Sequence, residues 1–388
     1  MNNAYLVAEN IITSLGFTLE ENIDSILAGK IGIMPASSFS VKYPSPLLSL
    51  VDTDTLDRRF GEVLDLRQPG RPAGSFTRLE KLFICSIHDA LLRTGLNVRN
   101  NRVLLVISTT KGNISLLEER FKARFNHKRV FLWEMTRVIG EFFGFMTTPI
   151  IVSNACISGV LALSVASRRI RSGQYDHAVV AGGDLISEFV LSGFHSFQAI
   201  SPEPCRPYDI KRNGLSLGEA AGTIILSNNT PEGVAVRIAG SATTNDANHI
   251  SGPSRTGREL SLAIDYSLAE AGLGPGEIGY ISAHGTATPF NDEMESKAVS
   301  LSKLNEVPLN SFKGYWGHTL GAAGVIESAA AVHSLRNNLL LRSAGFDEPG
   351  VPEKINVIGE NLHAELNTCL KTASGFGGCN AAMIFEKC

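Results

Sequence analysis

The stretch TPIIVSNACISGVLALSVA, Thr148 to Ala166, decides how the rest of the chain is read. Ile150 to Val152 is β-branched and apolar, the mark of a buried strand. Ser158, Gly159, Ala162, Ser164 and Ala166 follow in a segment of helical content without proline. Cys156 therefore stands where a strand turns into a helix. The unpaired N–H groups and positive dipole end of a helix start favour a thiolate, so the position predicts an activated nucleophile. A small buried hydrophobe is the competing reading, because free cysteine is among the most buried residue types. The surrounding sequence discriminates between the two.

Working outward toward the N-terminus, Ala4 to Ile12 reads as a strand, and Thr18 with Glu21 makes a capping box for a helix ending at Gly29. Ile33 to Ser75, punctuated by proline and serine, reads as loop. Thr77 with Glu80 opens a second helix whose apolar face runs from Leu79 to Leu91 before Gly95. Arg102 to Ser108 is a buried strand. Two helical stretches are expected between Ile114 and Phe145, the first carrying Arg120, Lys122, Arg124, Lys128 and Arg129. That basic run is either a solvated face or a docking surface for an acidic partner.

Toward the C-terminus, strands are expected at Ala178–Gly183, Ala220–Leu226, Val234–Ala239, Ile278–Ala283, Val307–Ser311, Thr372–Ser374 and Ala381–Phe385. Helices are expected at Glu259–Ala271, Asp292–Leu301 and Leu320–Leu335. This alternation implies α/β layering. Val307 to Leu335 repeats the plan of the Cys156 segment: a strand, a chemically capable residue, then a helix of small residues. The chain therefore divides into similar halves, 1–230 with the cysteine and 231–388 with the histidines considered next.

Composition excludes several classes. With 388 residues, 44% hydrophobic and 19% charged, the chain is a folded globular protein. A net charge of −3 argues against nucleic-acid binding. No apolar run approaches the roughly 20 residues a membrane helix needs, and the apolar start carries Glu9 and lacks the basic residues of a signal peptide. The six cysteines are far apart without C-x-x-C, fitting free thiols in a reducing cytoplasm and no metal site.

Three further stretches carry chemistry. In ISAHGTATPFND, His284 follows a β-run directly and precedes Gly285, which places it at the carboxyl end of a strand, where α/β folds build sites. In KGYWGHTLGAAG, His318 lies between Gly317 and a small-residue helix that permits close backbone approach. In SGFGGCN, three glycines flank Phe376 and predict a tight turn offering backbone N–H groups.

With the cysteine turn at Asn154–Gly159, RPYDIKRNGLSLGEAAG at Arg206–Gly222, HGTATP at His284–Pro289, K-x-x-x-GHTLGAAG at Lys313–Gly324 and GFGG at Gly375–Gly378, the chain resembles a known family. It is similar, over nearly its whole length, to the elongating β-ketoacyl-acyl carrier protein synthases. The resemblance implies a thiolase-like fold, layered α-β-α-β-α. It implies that Cys156 takes an acyl chain as a thioester and that decarboxylated malonyl-carrier protein then attacks it. His284 and His318 would donate to the enolate oxygen, and the N–H groups of Cys156 and Phe376 would form the oxyanion hole. Thr286 and Thr288 would hold the phosphopantetheine arm, and Phe376 would gate the cysteine. Lys313 and Glu219 would orient the histidines and the surrounding loops, or form a structural ion pair. No bound cofactor is implied, since substrates ride on the carrier's phosphopantetheine.

The implied partners are acyl carrier protein, docking at Lys128, Arg129 and Arg206 with Arg78 and Lys81 as further candidates, and a second subunit through the sheet. That subunit is a second copy or a chain-length-factor-like relative. The competing functions are such a chain-length partner itself, or an acyltransferase without decarboxylation. Departures from the family pattern fall at Asn154, Ile157, Ala220, Cys379 and the Gly314-Tyr315-Trp316 run, whose aromatics are expected to line a substrate channel.

Overall fold

Five strands from each half of the sequence carry the molecule. The computed structural model describes residues 2–36, 39, 46–121, 124–247 and 252–388. The first half supplies β1 (Tyr5–Ile12), β2 (Val103–Ser108), β3 (Ile150–Val152), β4 (His177–Asp184) and β5 (Ala220–Ser227). The second supplies β6 (Val236–Asn245), β7 (Tyr280–Ser282), β8 (Leu309–Asn310), β9 (Thr368–Gly375) and β10 (Cys379–Lys387). They pair in the order β3-β2-β4-β5-β1-β6-β10-β9-β7-β8. Each half thus has the order third, second, fourth, fifth, first, with the same parallel and antiparallel senses. The echo seen in the sequence is a duplicated unit, joined by one antiparallel pair, Tyr5 with Arg237.

Helices α1 (Leu19–Leu27), α2 (Thr53–Arg67), α3 (Arg78–Thr94), α4 (Leu132–Phe143), α5 (Ser158–Arg171), α6 (Glu188–Ser196), α7 (Arg258–Ala271), α8 (Pro289–Leu301) and α9 (Ala323–Asn337) complete the layers. Strand alternation assigns the faces. Leu104 and Val106 of β2 point into a core shared with α5 and α9, while Val103, Leu105 and Ile107 point to a core under α3 and α4. In β10, Met383 and Phe385 face the shared core, and Ala382 and Ile384 face α7 and α8. The half-sheets therefore enclose α5 and α9, giving the α-β-α-β-α layering of the thiolase-like fold.

The two central helices touch through glycine. A Cβ at Gly159 would lie 2.6 Å from Val325 N, and one at Gly324 would lie 2.3 Å from Val160 N. Any larger residue at either position would force the helices, and the loops that precede them, apart.

Two expectations need correction. The presumed loop from Ile33 to Ser75 contains α2, capped by Asp52, with Leu56, Phe60, Val63 and Leu64 buried on one face. Proline and serine before it obscured a 3.6-residue period. Conversely, the first helix expected after Ile114 is a series of 3₁₀ turns, Ile114–Leu117, Glu119–Phe121 and His127–Val130. The Asn126 side chain accepts from Lys128 N there, a local bond that competes with a helix. Lys122 lies outside the described residues. Among the described residues, no helix is long and apolar enough to cross a membrane.

Candidate active site

Cys156 sits in a turn held by its neighbours. β3 ends at Val152 and α5 begins at Ser158, and between them Ala155 takes φ +43°. Such a left-handed backbone costs a non-glycine residue on the order of 1–3 kcal/mol. Ser158 Oγ offsets it, accepting from Asn154 N at 2.8 Å and donating to the Ala155 carbonyl at 2.6 Å. No side chain caps α5, so its positive end has no anion of its own. Burial acts on the sulfur in the resting site. It pushes the Cys156 thiol up to about 12, with Cys379 adding to the effect and Lys313 opposing it.

His318 reaches the sulfur from the other half. It follows the one-turn helix Lys313–Trp316 and Gly317, whose φ is +70°. Its N–H donates to the Ser216 carbonyl at 2.6 Å, and its carbonyl accepts from Gly218 N at 3.0 Å. Leu320 N donates to Nδ1 at 3.3 Å. The ring proton is therefore on Nε2, which lies 3.0 Å from Cys156 Sγ.

His284 arrives at the end of β7. Glu295 and Thr372 accept from its backbone N–H, and Gly285 N donates to Glu295 at 2.7 Å. Lys313 Nζ, a pure donor, lies 3.4 Å from its Nδ1, so this imidazole also carries its proton on Nε2. The two rings stand edge to face with centroids 5.3 Å apart. Burial, followed by the Lys313 charge, holds both well below the usual imidazole range.

These depressed imidazoles set a pH dependence of stability. Below pH about 6.5 the unfolded chain protonates both rings while the folded chain does not. The unfolded state then binds more protons, and stability falls as pH drops. The melting temperature should decline from pH 6.5 to 5, and a His284→Ala/His318→Ala variant should show a shallower decline. Equal slopes would contradict this origin.

Cys156, His284, His318, Thr286, Thr288 and Phe376 all line one cavity of about 460 Å³. The threonine hydroxyls are 2.9 Å apart, on a turn whose N–H groups bind Asp292. Phe376, 38% exposed, packs against Phe194 and Phe197 at centroid distances of 5.5 and 5.3 Å. The GFGG turn lies directly on the cysteine: a Cβ at Gly375 would meet Cys156 N at 2.9 Å and Cys379 Sγ at 3.0 Å.

Other expected site residues lie elsewhere. Glu219 touches neither imidazole. It accepts from Arg78 at 2.7 Å and from Val51 N and Ile186 N, which ties loops together as the resemblance implies but leaves the histidines untouched. Its place opposite Lys313 belongs to Glu327, 2.6 Å from Nζ. The sequence reading missed Glu327 and Lys371, although each is a lone charge in an apolar run. Tyr315 and Trp316 do not line the cavity. Both are buried in the shared core, Trp316 stacked on Phe312. Ile157 is buried in that core as well.

Besides Arg78, three of the docking residues are held in ion pairs and one is exposed. Arg129 is paired with Glu80, whose side chain is fully buried at the start of α3. Arg206 is held by Asp209 and Asp347, and Lys81 by Asp57. Lys128 is exposed. Arg129→Glu should therefore destabilise the fold, by about 3–5 kcal/mol, because it leaves a buried carboxylate unpaired. Lys128→Glu should leave denaturant unfolding unchanged, and similar unfolding midpoints for the two variants would refute the distinction.

The fold is thiolase-like, and the site lies at the seam between its halves. Family models for the β-ketoacyl synthase N-terminal and C-terminal domains match residues 11–231 and 235–347. The chain belongs to the β-ketoacyl synthase family. It is 32% identical over 267 residues to a putative polyketide β-ketoacyl synthase 1 of Streptomyces halstedii, an alignment covering 64% of this chain and 63% of that one. The chain thus spans just under two thirds of that relative's length. It is 26% identical to 3-oxoacyl-acyl-carrier-protein synthase 2 of Synechocystis, over 97% of this chain and 96% of the relative. A ketosynthase solved in complex with its chain length factor, from Xenorhabdus doucetiae, superposes with a TM-score of 0.85 at 23% identity. That match covers 100% of this chain and 98% of the other.

Proposed function

We propose that the protein is a condensing enzyme that lengthens an acyl chain by decarboxylative Claisen condensation with malonyl-acyl carrier protein. One observation carries the reading: Cys156 Sγ lies 3.0 Å from an imidazole N–H, with a second imidazole beside it in the same cavity. In the first half-reaction the Cys156 sulfur attacks the acyl thioester. Its proton leaves with the carrier thiol, and a Cys156 thioester forms. The α5 N-terminus and His318 Nε2–H stabilise the sulfur's developing charge.

In the second half-reaction the malonyl carboxylate departs as carbon dioxide, and the electron pair moves to the thioester oxygen. Neutral imidazoles suit this step, since each offers Nε2–H without surrendering its proton. The enolate carbon attacks the Cys156 thioester, and collapse of the tetrahedral intermediate frees the cysteine and a β-ketoacyl-carrier product. The Cys156 and Phe376 N–H groups hold the intermediate's oxygen, and Thr286 and Thr288 hold the phosphopantetheine arm.

Carrier protein is the proposed partner, in fatty acid or polyketide elongation in the cytoplasm. The second subunit, another copy or a chain-length-factor-like relative, would pair at the sheet edge formed by β3. Half-exposed Ile150 and Ile151, together with exposed Phe131, Trp133 and Met146, support that placement. The presence of Cys156 and both imidazoles weighs against a non-catalytic chain-length role. Incubation with acyl- and malonyl-carrier proteins should release carbon dioxide and a β-ketoacyl product in equal amounts. Acyl transfer without carbon dioxide would overturn the reading in favour of a simple acyltransferase.

A further inference from the structure

A buried triad of charges lies behind the two imidazoles. Lys371, on the face of β9 that points to α9, has a side chain with 0% exposure, and its Nζ is 2.8 Å from Glu327 Oε2. It also donates to the carbonyls of Thr372 at 2.7 Å and Ser282 at 3.1 Å. With the Ala283 carbonyl at 3.4 Å its three hydrogen bonds all go to backbone carbonyls, and Glu327 Oε2 is an ion-pair contact beside them, the pattern of a protonated ammonium. The other oxygen of Glu327 takes Lys313, which donates in turn to the His284 carbonyl at 2.6 Å. Two lysines therefore share one glutamate.

We propose that Lys371 is a positioning residue for the condensation: it supplies the second positive charge behind His284 and His318 and anchors the end of the strand from which His284 projects. This rests on the condensing reading for its consequence, not for its geometry. The charged groups facing it are Glu327 and Lys313 from the α9 side and Glu295 from α8, with the two imidazoles beyond. Glu295 is committed elsewhere, accepting from His284 N, Gly285 N, Thr372 Oγ1 and Tyr208 OH. With Lys371 the two lysines balance the two glutamates; without it the cluster carries one excess negative charge.

That excess would favour imidazolium. A second ring proton on His318 would sit on Nδ1, opposite the Leu320 N–H that now donates there, and on His284 it would face Lys313. Both rings would lose the contacts that aim Nε2. Burying an ammonium is expensive, and the structure places a return on that cost at the reacting groups.

The test combines Lys371→Met, Lys371→Gln and Lys371→Arg. Histidine side-chain NMR titration of the apo protein, assigned with His284→Ala and His318→Ala, reads the rings directly. The pH profile of kcat for carbon dioxide release reads the consequence. Methionine should raise both ring midpoints and the acid limb of kcat by about one pH unit or more, a tenfold effect. Glutamine, which keeps a donor to the carbonyls, should do the same and stands in if the methionine variant does not fold. Arginine should titrate like wild type. A folded neutral variant with wild-type ring midpoints would overturn the proposal. A wild-type protein that releases no carbon dioxide would instead overturn the condensing reading and leave the titration result standing.

Discussion

Cys156→Ala should yield no β-ketoacyl product, a loss on the order of 10⁴-fold or more, because no other group can carry the acyl chain. Intact-mass measurement should show no acyl adduct after incubation with acyl-carrier protein. The fold should survive, since the turn is held by Ser158 and by the Gly159–Gly324 contact, neither of which uses the sulfur. Cys379 is the obvious understudy, for its sulfur lies near the nucleophile beneath the GFGG turn. Its Sγ faces the carbonyls of Phe376 and Asn154, at 3.5 and 3.8 Å, whereas Cys156 Sγ meets the His318 imidazole at 3.0 Å. It therefore should not take over. Carbon dioxide release should persist in this variant, uncoupled from product, because both imidazoles keep their supports. Condensation retained in Cys156→Ala would remove this residue as the nucleophile.

The parts of the fold that were legible are those fixed by local chemistry. The Thr77–Glu80 capping box opens α3 as its spacing predicts, with both reciprocal bonds formed, and Gly95 ends it at φ +61°. The strand–cysteine–helix plan could be read because β-branched and small residues change over within a few positions. Contacts between distant segments could not be read. Glu219 stands in a conspicuous motif, yet its partner Arg78 is 141 residues away. Tyr315 and Trp316 look like channel aromatics beside a histidine, but a one-turn helix directs both into the shared core. Arg129 belonged to a charge run, and only the fold shows that Glu80 claims it. Glu327 and Lys371 left a signal: a single charge in AGVIESAAA and in TCLKTASG, each otherwise apolar or small, demands a buried partner. Pairing the two required knowing that α9 lies across β9.

The two imidazoles should separate when removed singly. His284→Ala should lower carbon dioxide release from malonyl-carrier protein by about 10²–10³-fold, the usual cost of deleting one donor to a developing oxyanion. Its acylation of Cys156, followed as a mass-shift burst, should stay near wild type, because His284 is held by Lys313 and Glu295 and makes no bond to the sulfur. His318→Ala should lose decarboxylation to a similar degree and slow acylation as well, since its Nε2 is the group 3.0 Å from Sγ. Asparagine at 318 should restore part of the decarboxylation, as a neutral side-chain N–H replaces another, whereas leucine should restore none. The asymmetry follows from position: both rings serve the oxygen, and one also serves the nucleophile. If the two alanine variants slowed acylation and decarboxylation in the same proportion, both imidazoles would be serving the sulfur and the oxygen alike. The division of labour between the two imidazoles would then have to be abandoned.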